Sequence, residues 1–359
     1  MLMDLDLIYA PVREDLDALA RLLRDVLSSD DPFIGELVSH VLTTQGKMIR
    51  PALVCLSALA AGDGGAPPVS RTPRAAILGI AGAVELIHVA SLIHDDVIDA
   101  ADLRRGHASV NAVWGNQVAV LLGDYLFSKA FHMLACLHQD EIAAAVAWAT
   151  VRMSQAEIKQ IKHGNTPHTD EAIYFDIIEG KTAQLMSAAC RCGALTAGAP
   201  EPAAAALATF GLEWGMAFQI TDDALDLTAT ADRIGKPIGS DIQTGKVTLP
   251  IIHALARAPE PDRRRLQDIL EGADGLPVHG GAPRGSPPAE GPAGRSSEGD
   301  GAGVLDVQEI LARAGSIDHA LGVARAHARR AATALEPIGE SPARESLLAL
   351  ADFVTARRR

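Results

Sequence analysis

Residues 75–99 read AAILGIAGAVELIHVASLIHDDVID, an apolar run from Ala75 to Ile93 that ends in three aspartates. The run is long enough to tempt a transmembrane assignment, which needs roughly 20 apolar residues. It contains Glu85 and His88, however, and leads straight into charge, which a bilayer tolerates poorly. The stretch therefore predicts a helix buried in a protein core, with a functional end. On such a helix Asp95 and Asp99 share one face about one turn apart, and Asp96 turns partly aside.

The same pattern returns 127 positions later as Asp222-Asp223-Ala224-Leu225-Asp226, again after a mostly apolar run, LEWGMAFQIT. Six carboxylates serving one cavity repel one another unless divalent cations neutralise them. Magnesium, which combines carboxylates with phosphate oxygens and water, is the expected ion. A solvated helix surface is the ordinary place for such acids, but neither cluster has a surface-like approach.

The rest of the chain sets the frame. It has 359 residues, 48% hydrophobic and only 4% aromatic, rich in alanine and leucine, so helix is favoured over sheet. Helices are expected at Val12 to Leu27, from Pro32, at Ala52 to Ala60, and over 74–99, 111–137, 139–163, 170–197, 202–229 and 246–256. No strand-like alternation long enough for a central sheet lies between them. Residues 275–303 have almost no large apolar side chains and read as a disordered insertion in a single domain covering 1–359, because helical pattern resumes at Val307. A last helix is expected from Pro342 to Ala356.

A formal charge of −13 argues against nonspecific binding to nucleic acid or to an anionic membrane surface. The N-terminus is acidic where a secretory signal is basic, so a cytoplasmic location is the default reading. No transmembrane segment is expected, while peripheral membrane association stays compatible with a greasy product. Cys55, Cys136, Cys190 and Cys192 show no metal-ligand grouping and read as small, mostly core residues.

Lys47, Arg50, Arg104, Arg105, Lys181, Lys236 and Lys246 each stand beside a glycine, a turn or a helix end. Singly, each is an ordinary surface cation. Together they follow or flank the two aspartate sets, as a site for metal-bound and metal-free phosphate requires.

HDDVIDAADLRRG (94–106), GDYLFSKA (123–130), EGKTAQL (179–185), FQITDDALD (218–226), GKPIGSDIQTGKVTLP (235–250) and GKMIRP (46–51) resemble, in order and spacing, the signatures of all-trans polyprenyl diphosphate synthases. The resemblance implies an all-α, isoprenoid-synthase helical bundle around a deep central cavity, a homodimer, and condensation of isopentenyl diphosphate with an allylic diphosphate. It implies three magnesium ions per active site, with manganese as a substitute. Asp95, Asp99 and Asp222 become the principal carboxylates around magnesium, with Asp96, Asp223 and Asp226 completing the site directly or through water. Arg104, Lys181 and Lys236 hold the allylic diphosphate, with Asp241 near them, and Lys246 follows in the same motif. Lys47, Arg50, His88 and Arg105 clamp isopentenyl diphosphate. Thr182, Gln184 and Gln219 orient oxygen dipoles near the reacting cation or bond between helices. One departure is Gln45-Gly46-Lys47-Met48-Ile49-Arg50-Pro51, where relatives carry a further glycine and basic residue.

Product length follows from the apolar face below Asp95. Ala90 and Ser91 are one turn down, where short-chain members place aromatic floors, and Ile87 is about 12 Å down. Deeper stops are Phe127, Phe131 or Met133. The open first floor favours a medium- or long-chain product, about thirty to fifty carbons for quinone side chains, over geranylgeranyl diphosphate. A terpene cyclase needs only one diphosphate substrate, and a silent subunit of a heteromeric synthase is expected to have lost aspartates that this chain keeps.

Overall fold

The computed structural model describes residues 5–43, 46–62, 74–164, 166, 170–228, 246–273 and 300–356. Sixteen α-helices are found among them. They are α1 Leu5–Ile8, α2 Arg13–Leu27, α3 Pro32–Thr43, α4 Ile49–Gly62, α5 Arg74–Ile98, α6 Val110–Trp114, α7 Asn116–Cys136, α8 Asp140–His163, α9 Glu171–Ile178, α10 Gln184–Thr196, α11 Glu201–Asp226, α12 Leu249–Arg257, α13 Glu260–Ala273, α14 Asp300–Arg313, α15 Ser316–Ala334 and α16 Pro342–Ala356. The all-α expectation holds. The only strands among the described residues are β1, Leu103–Arg104, and β2, His107–Ala108, a two-stranded antiparallel hairpin.

The helix boundaries differ from expectation in four places. Helix 111–137 is two helices, because Gly115 adopts φ 84° and ends α6 before α7 begins. Helix 170–197 is interrupted at Glu179–Ala183 by a π-helical turn. The segment 246–256 enters helix only at Leu249, with Pro250 in its first turn. The insertion expected at 275–303 lies mostly outside the described residues, but its last four belong to α14, which starts at Asp300. Gly and Ala carry no periodic apolar signal, so the first turn of that helix was not visible in the pattern.

The chain divides into two compact units. The first comprises Met1–Ile158, Asp176–Gln219 and Ala324–Arg359. Within it α5 packs along α7, α4 and α2, and α10 lies against α4. Ile80, Val84 and Ile87 of α5 are fully buried, as are Leu19, Leu53 and Leu126 of its neighbours. Such burial removes about 1.5–3 kcal/mol worth of apolar surface from water per large side chain. The Trp214 indole N–H donates to Leu350 O at 2.8 Å and ties α11 to α16.

The second unit comprises Lys159–Phe175 and Ile220–Val323. Leu266, Leu270, Val307, Ile310 and Leu311 form its buried side, with Ile251 of α12. Arg313 pairs with Asp262 at 2.9 Å and Arg265 with Asp306 at 2.6 Å, joining α13 to α14.

Helices α5 and α7 are long and apolar enough to cross a membrane by length and composition; two thirds of the α5 window is buried inside the protein and one third of the α7 window. All four cysteines are free thiols. Burial pushes Cys55, Cys190 and Cys192 up to about 12, so they are inert packing groups.

Candidate active site

The first aspartate cluster closes α5, with Asp95 and Asp96 in its last turn and Asp99 just beyond it. Asp95 is half-buried, Asp96 is buried and Asp99 is exposed. The chain then reverses through Ala100 (φ 49°) and enters the hairpin, whose two-residue turn is Arg105 (φ 52°) and Gly106 (φ 80°). Two consecutive positive φ values are the signature of a type I′ turn. The Arg-Arg-Gly triplet thus has a structural reason beside its charge: Arg105 and Gly106 form the turn, and Arg104, on the strand before it, donates from its Nε to Asp96 Oδ1 at 2.8 Å. Ser109 Oγ donates to Ala101 O at 2.6 Å and holds the returning strand.

Lys181 reaches the same helix end. Its Nζ lies 3.5 Å from Asp95 Oδ2 and donates to Glu157 Oε2 of α8. It projects from the π-helical turn Glu179–Ala183, a local widening that is frequent at functional positions. Arg152 braces the turn, with Nη2 at 3.2 Å from Asp176 and 3.5 Å from Glu179. Thr182 Oγ1 donates to Gln219 Oε1 at 2.8 Å, so these two expected dipoles meet each other.

His94, just before the cluster, packs onto α7. Its Nε2 lies 3.1 Å from Val120 O and 3.5 Å from Asp124, and its ring is 5.7 Å from that of Phe127. A Cβ at Gly123 would collide with the His94 ring. Gly123 and Asp124 of the GDYLFSKA segment therefore seat His94 and with it the end of α5.

A second group of cations gathers around Glu85. Gly46 packs on the Arg105 guanidinium so closely that a Cβ there would lie 2.7 Å from Cζ. Glu85 is 4% exposed; burial raises its pKa, and Arg50 and Arg105 pull the other way. His88 is held well below the usual imidazole value by burial and then by Arg50, Arg105 and Arg104. Burial and the charge of Glu85 push the Tyr9 phenol up. A neutral imidazole beside two guanidiniums is suited to donate to an anion without adding charge.

The second cluster ends α11, in the second unit. Asp222 and Asp226 are half-buried; Asp223 is buried and accepts a 2.6 Å hydrogen bond from Tyr174 Oη. Lys246 is half-buried. Lys236 and Asp241 lie outside the described residues.

The structure thus brings Asp95, Asp96, Arg104 and Lys181 together at one helix end, and Arg50, His88 and Arg105 around Glu85. Lys47 is exposed beside that group. Ile87 and Ala90 are fully buried and Ser91 half-buried. Phe127 packs against the core, Met133 is half-buried there, and Phe131 is 36% exposed. Glu157 and Tyr174 were missed, since each contacts a residue at least 24 positions away and no local spacing signals that.

Carboxylate oxygens are the donor type that magnesium takes, and at each cluster the outer two are more open than the middle one. Among the described residues no three acidic, histidine or cysteine side chains are gathered into a cage of their own.

A family model described as polyprenyl synthetase matches residues 31–276. The chain belongs to that family. It is therefore a prenyltransferase. This polyprenyl synthetase is 32% identical over 350 residues to the octaprenyl diphosphate synthase of Haemophilus influenzae, covering 98% of this chain and 96% of that one. It is 38% identical over 322 residues to a short chain isoprenyl diphosphate synthase of Methanothermobacter thermautotrophicus, covering 89% and 88%. Its fold matches a polyprenyl synthase from Caulobacter crescentus, solved with calcium and isoprenyl diphosphate, at a TM-score of 0.86 and 30% identity, covering 100% and 99%.

Proposed function

We propose that this synthase condenses isopentenyl diphosphate head-to-tail with an allylic prenyl diphosphate and builds a medium- to long-chain all-trans product, of the kind used for quinone side chains. The observation that carries this reading is the meeting of Asp95, Asp96, Arg104 and Lys181 at the end of α5, since carboxylates and paired cations on one helix end suit a metal-bound diphosphate.

Asp95 and Asp99 of the first cluster and Asp222 and Asp226 of the second would hold magnesium, three ions per site, with manganese as a substitute; Asp96 and Asp223, engaged by the Arg104 guanidinium and the Tyr174 phenol, would support them. When bound there, magnesium would supply charge stabilisation to the diphosphate leaving group. Arg104, Lys181 and Lys236 hold the allylic diphosphate, with Asp241 and Lys246 in the same segment. Lys47, Arg50, His88 and Arg105 clamp isopentenyl diphosphate. The allylic carbon–oxygen bond ionises, the isopentenyl double bond attacks the cation, and a proton leaves to the departing diphosphate. The Thr182–Gln219 pair orients oxygen dipoles near that cation, and apolar helices around a deep cavity exclude water.

Ala90 and Ser91 are small where short-chain members carry aromatic floors, which supports the longer product, as does the octaprenyl-forming relative. The short-chain relative favours the runner-up, geranylgeranyl diphosphate. Trp148, Val151 and Ile158 are exposed along α8, and Val120 and Leu121 along α7, a surface that supports a homodimer. The enzyme works as one catalytic domain in the cytoplasm.

The test is incubation of purified protein with magnesium, isopentenyl diphosphate and, separately, geranyl, farnesyl and geranylgeranyl diphosphates, with mass analysis of the prenols. Elongation of geranylgeranyl diphosphate supports the longer product, accumulation at twenty carbons selects the runner-up, and no elongation sinks both.

A further inference from the structure

Within the second unit, Tyr174 and Asp223 are 5% and 6% exposed, and the phenol O–H donates to Asp223 Oδ2 at 2.6 Å. That length is in the range of hydrogen bonds to an ionised carboxylate. The donor is itself held. Asp170 caps α9 by accepting from Ile173 N at 2.8 Å, Tyr174 N donates to Asp170 O at 3.1 Å, and the ring packs edge-on to Phe175 at 5.5 Å. With one carboxylate oxygen fixed by an immobile ring, the Asp223 side chain keeps one rotamer.

The two aspartate clusters share a design that the sequence pattern hides. In each, the middle carboxylate is the buried one and receives a donor from a different element: a guanidinium at Asp96, a phenol at Asp223. A phenol satisfies a lone pair of a carboxylate without bringing a charge of its own. Asp222 and Asp226 stand on either side of it in the same closing turn of α11.

We propose that Tyr174 is a positioning residue of the second aspartate cluster: by holding Asp223 it fixes the last turn of α11 and hence the direction in which Asp222 and Asp226 offer oxygens to a magnesium-bound diphosphate. The identity of that ligand rests on the function proposed above.

The experiment compares wild type, Tyr174→Phe, Asp223→Ala and the double variant by calorimetric titration with inorganic diphosphate at graded magnesium, alongside steady-state kinetics and circular dichroism. Loss of a partner behind a metal ligand lowers metal affinity about 10- to 100-fold. Tyr174→Phe is expected to stay helical, to raise the magnesium concentration at half-saturation by about that factor, and to lower kcat with an unchanged KM for isopentenyl diphosphate. In the Asp223→Ala background the same substitution is expected to add nothing, because both act through one contact. An unchanged magnesium midpoint in Tyr174→Phe, or independent effects in the double variant, overturns the proposal. If Tyr174→Phe does not fold, a wild-type midpoint in Asp223→Ala overturns it instead. Wild-type protein that binds magnesium and diphosphate but elongates no starter would refute the condensation reading alone, since the binding titration needs no turnover.

Discussion

The Lys181 ammonium sits 3.5 Å from Asp95 Oδ2 while donating to Glu157, so the cation proposed for the allylic diphosphate is shared between two carboxylates of different helices. The carboxylates are 19% and 16% exposed at their side chains, dry enough for the pairing to count.

Lys181→Ala is therefore expected to do two separable things. Loss of a donor to developing leaving-group charge lowers kcat by about 10²–10³-fold. Leaving Glu157 without its ammonium also destabilises the ligand-free protein by about 1–3 kcal/mol. Steady-state kinetics and urea unfolding check both. Full stability with lost activity would mean that Glu157 relaxes to water.

Gly123 faces the His94 ring with no room for a side chain. Gly123→Ala must push His94 off α7, and forced overpacking of this kind costs about 1–3 kcal/mol. The same displacement moves the helix end carrying Asp95. A fall in Tm together with a higher magnesium requirement is expected; a variant with wild-type values of both would show that the α5 end is set elsewhere.

Ala90 and Ser91 are neighbours below Asp95 but differ in surroundings. Ala90 is fully buried in the core, whereas Ser91 is half-buried with its Oγ donating to His88 O at 2.8 Å. Ser91→Phe is expected to shorten the product while the fold survives, and Ala90→Phe to lower Tm through overpacking. Prenol mass analysis and thermal melts distinguish them, and an unchanged product from Ser91→Phe removes this position from length control.

Legibility in the sequence followed the range of the physics. The buried α5 and its acidic end were visible because helical spacing is local, and Arg104 was found because it lies only eight positions beyond Asp96. The hairpin turn was not, since Arg105 adopts a positive φ that its residue type does not advertise, and only Gly106 marked the place. The π-helical turn under Lys181 was hidden for the same reason: an uninterrupted helical pattern carries through a single widened turn. Glu157 and Tyr174 depend on tertiary approach, which one sequence cannot reveal. The GDYLFSKA segment shows the opposite case, recognised as a motif while its work, seating His94, became clear only from the packing.

His88 offers a pH test with a definite sign. Burial, then Arg50, Arg105 and Arg104, depress its pKa in the folded protein. Between the unfolded value, about 6.5, and the lower folded value, the unfolded chain binds the extra proton, so stability falls as pH falls. The contribution is complete above about pH 6.5 and is lost at about 1.4 kcal/mol per pH unit below it, until the folded value is reached. His88→Gln has no such proton. The stability of wild type relative to His88→Gln is expected to be constant from pH 8 to about 7 and to decline from about 6.5 toward 5. Urea unfolding of both proteins across that range measures it. A difference that stays flat would show that the imidazole titrates in the folded protein as it does in water, and would remove the basis for treating His88 as a neutral donor beside the two arginines.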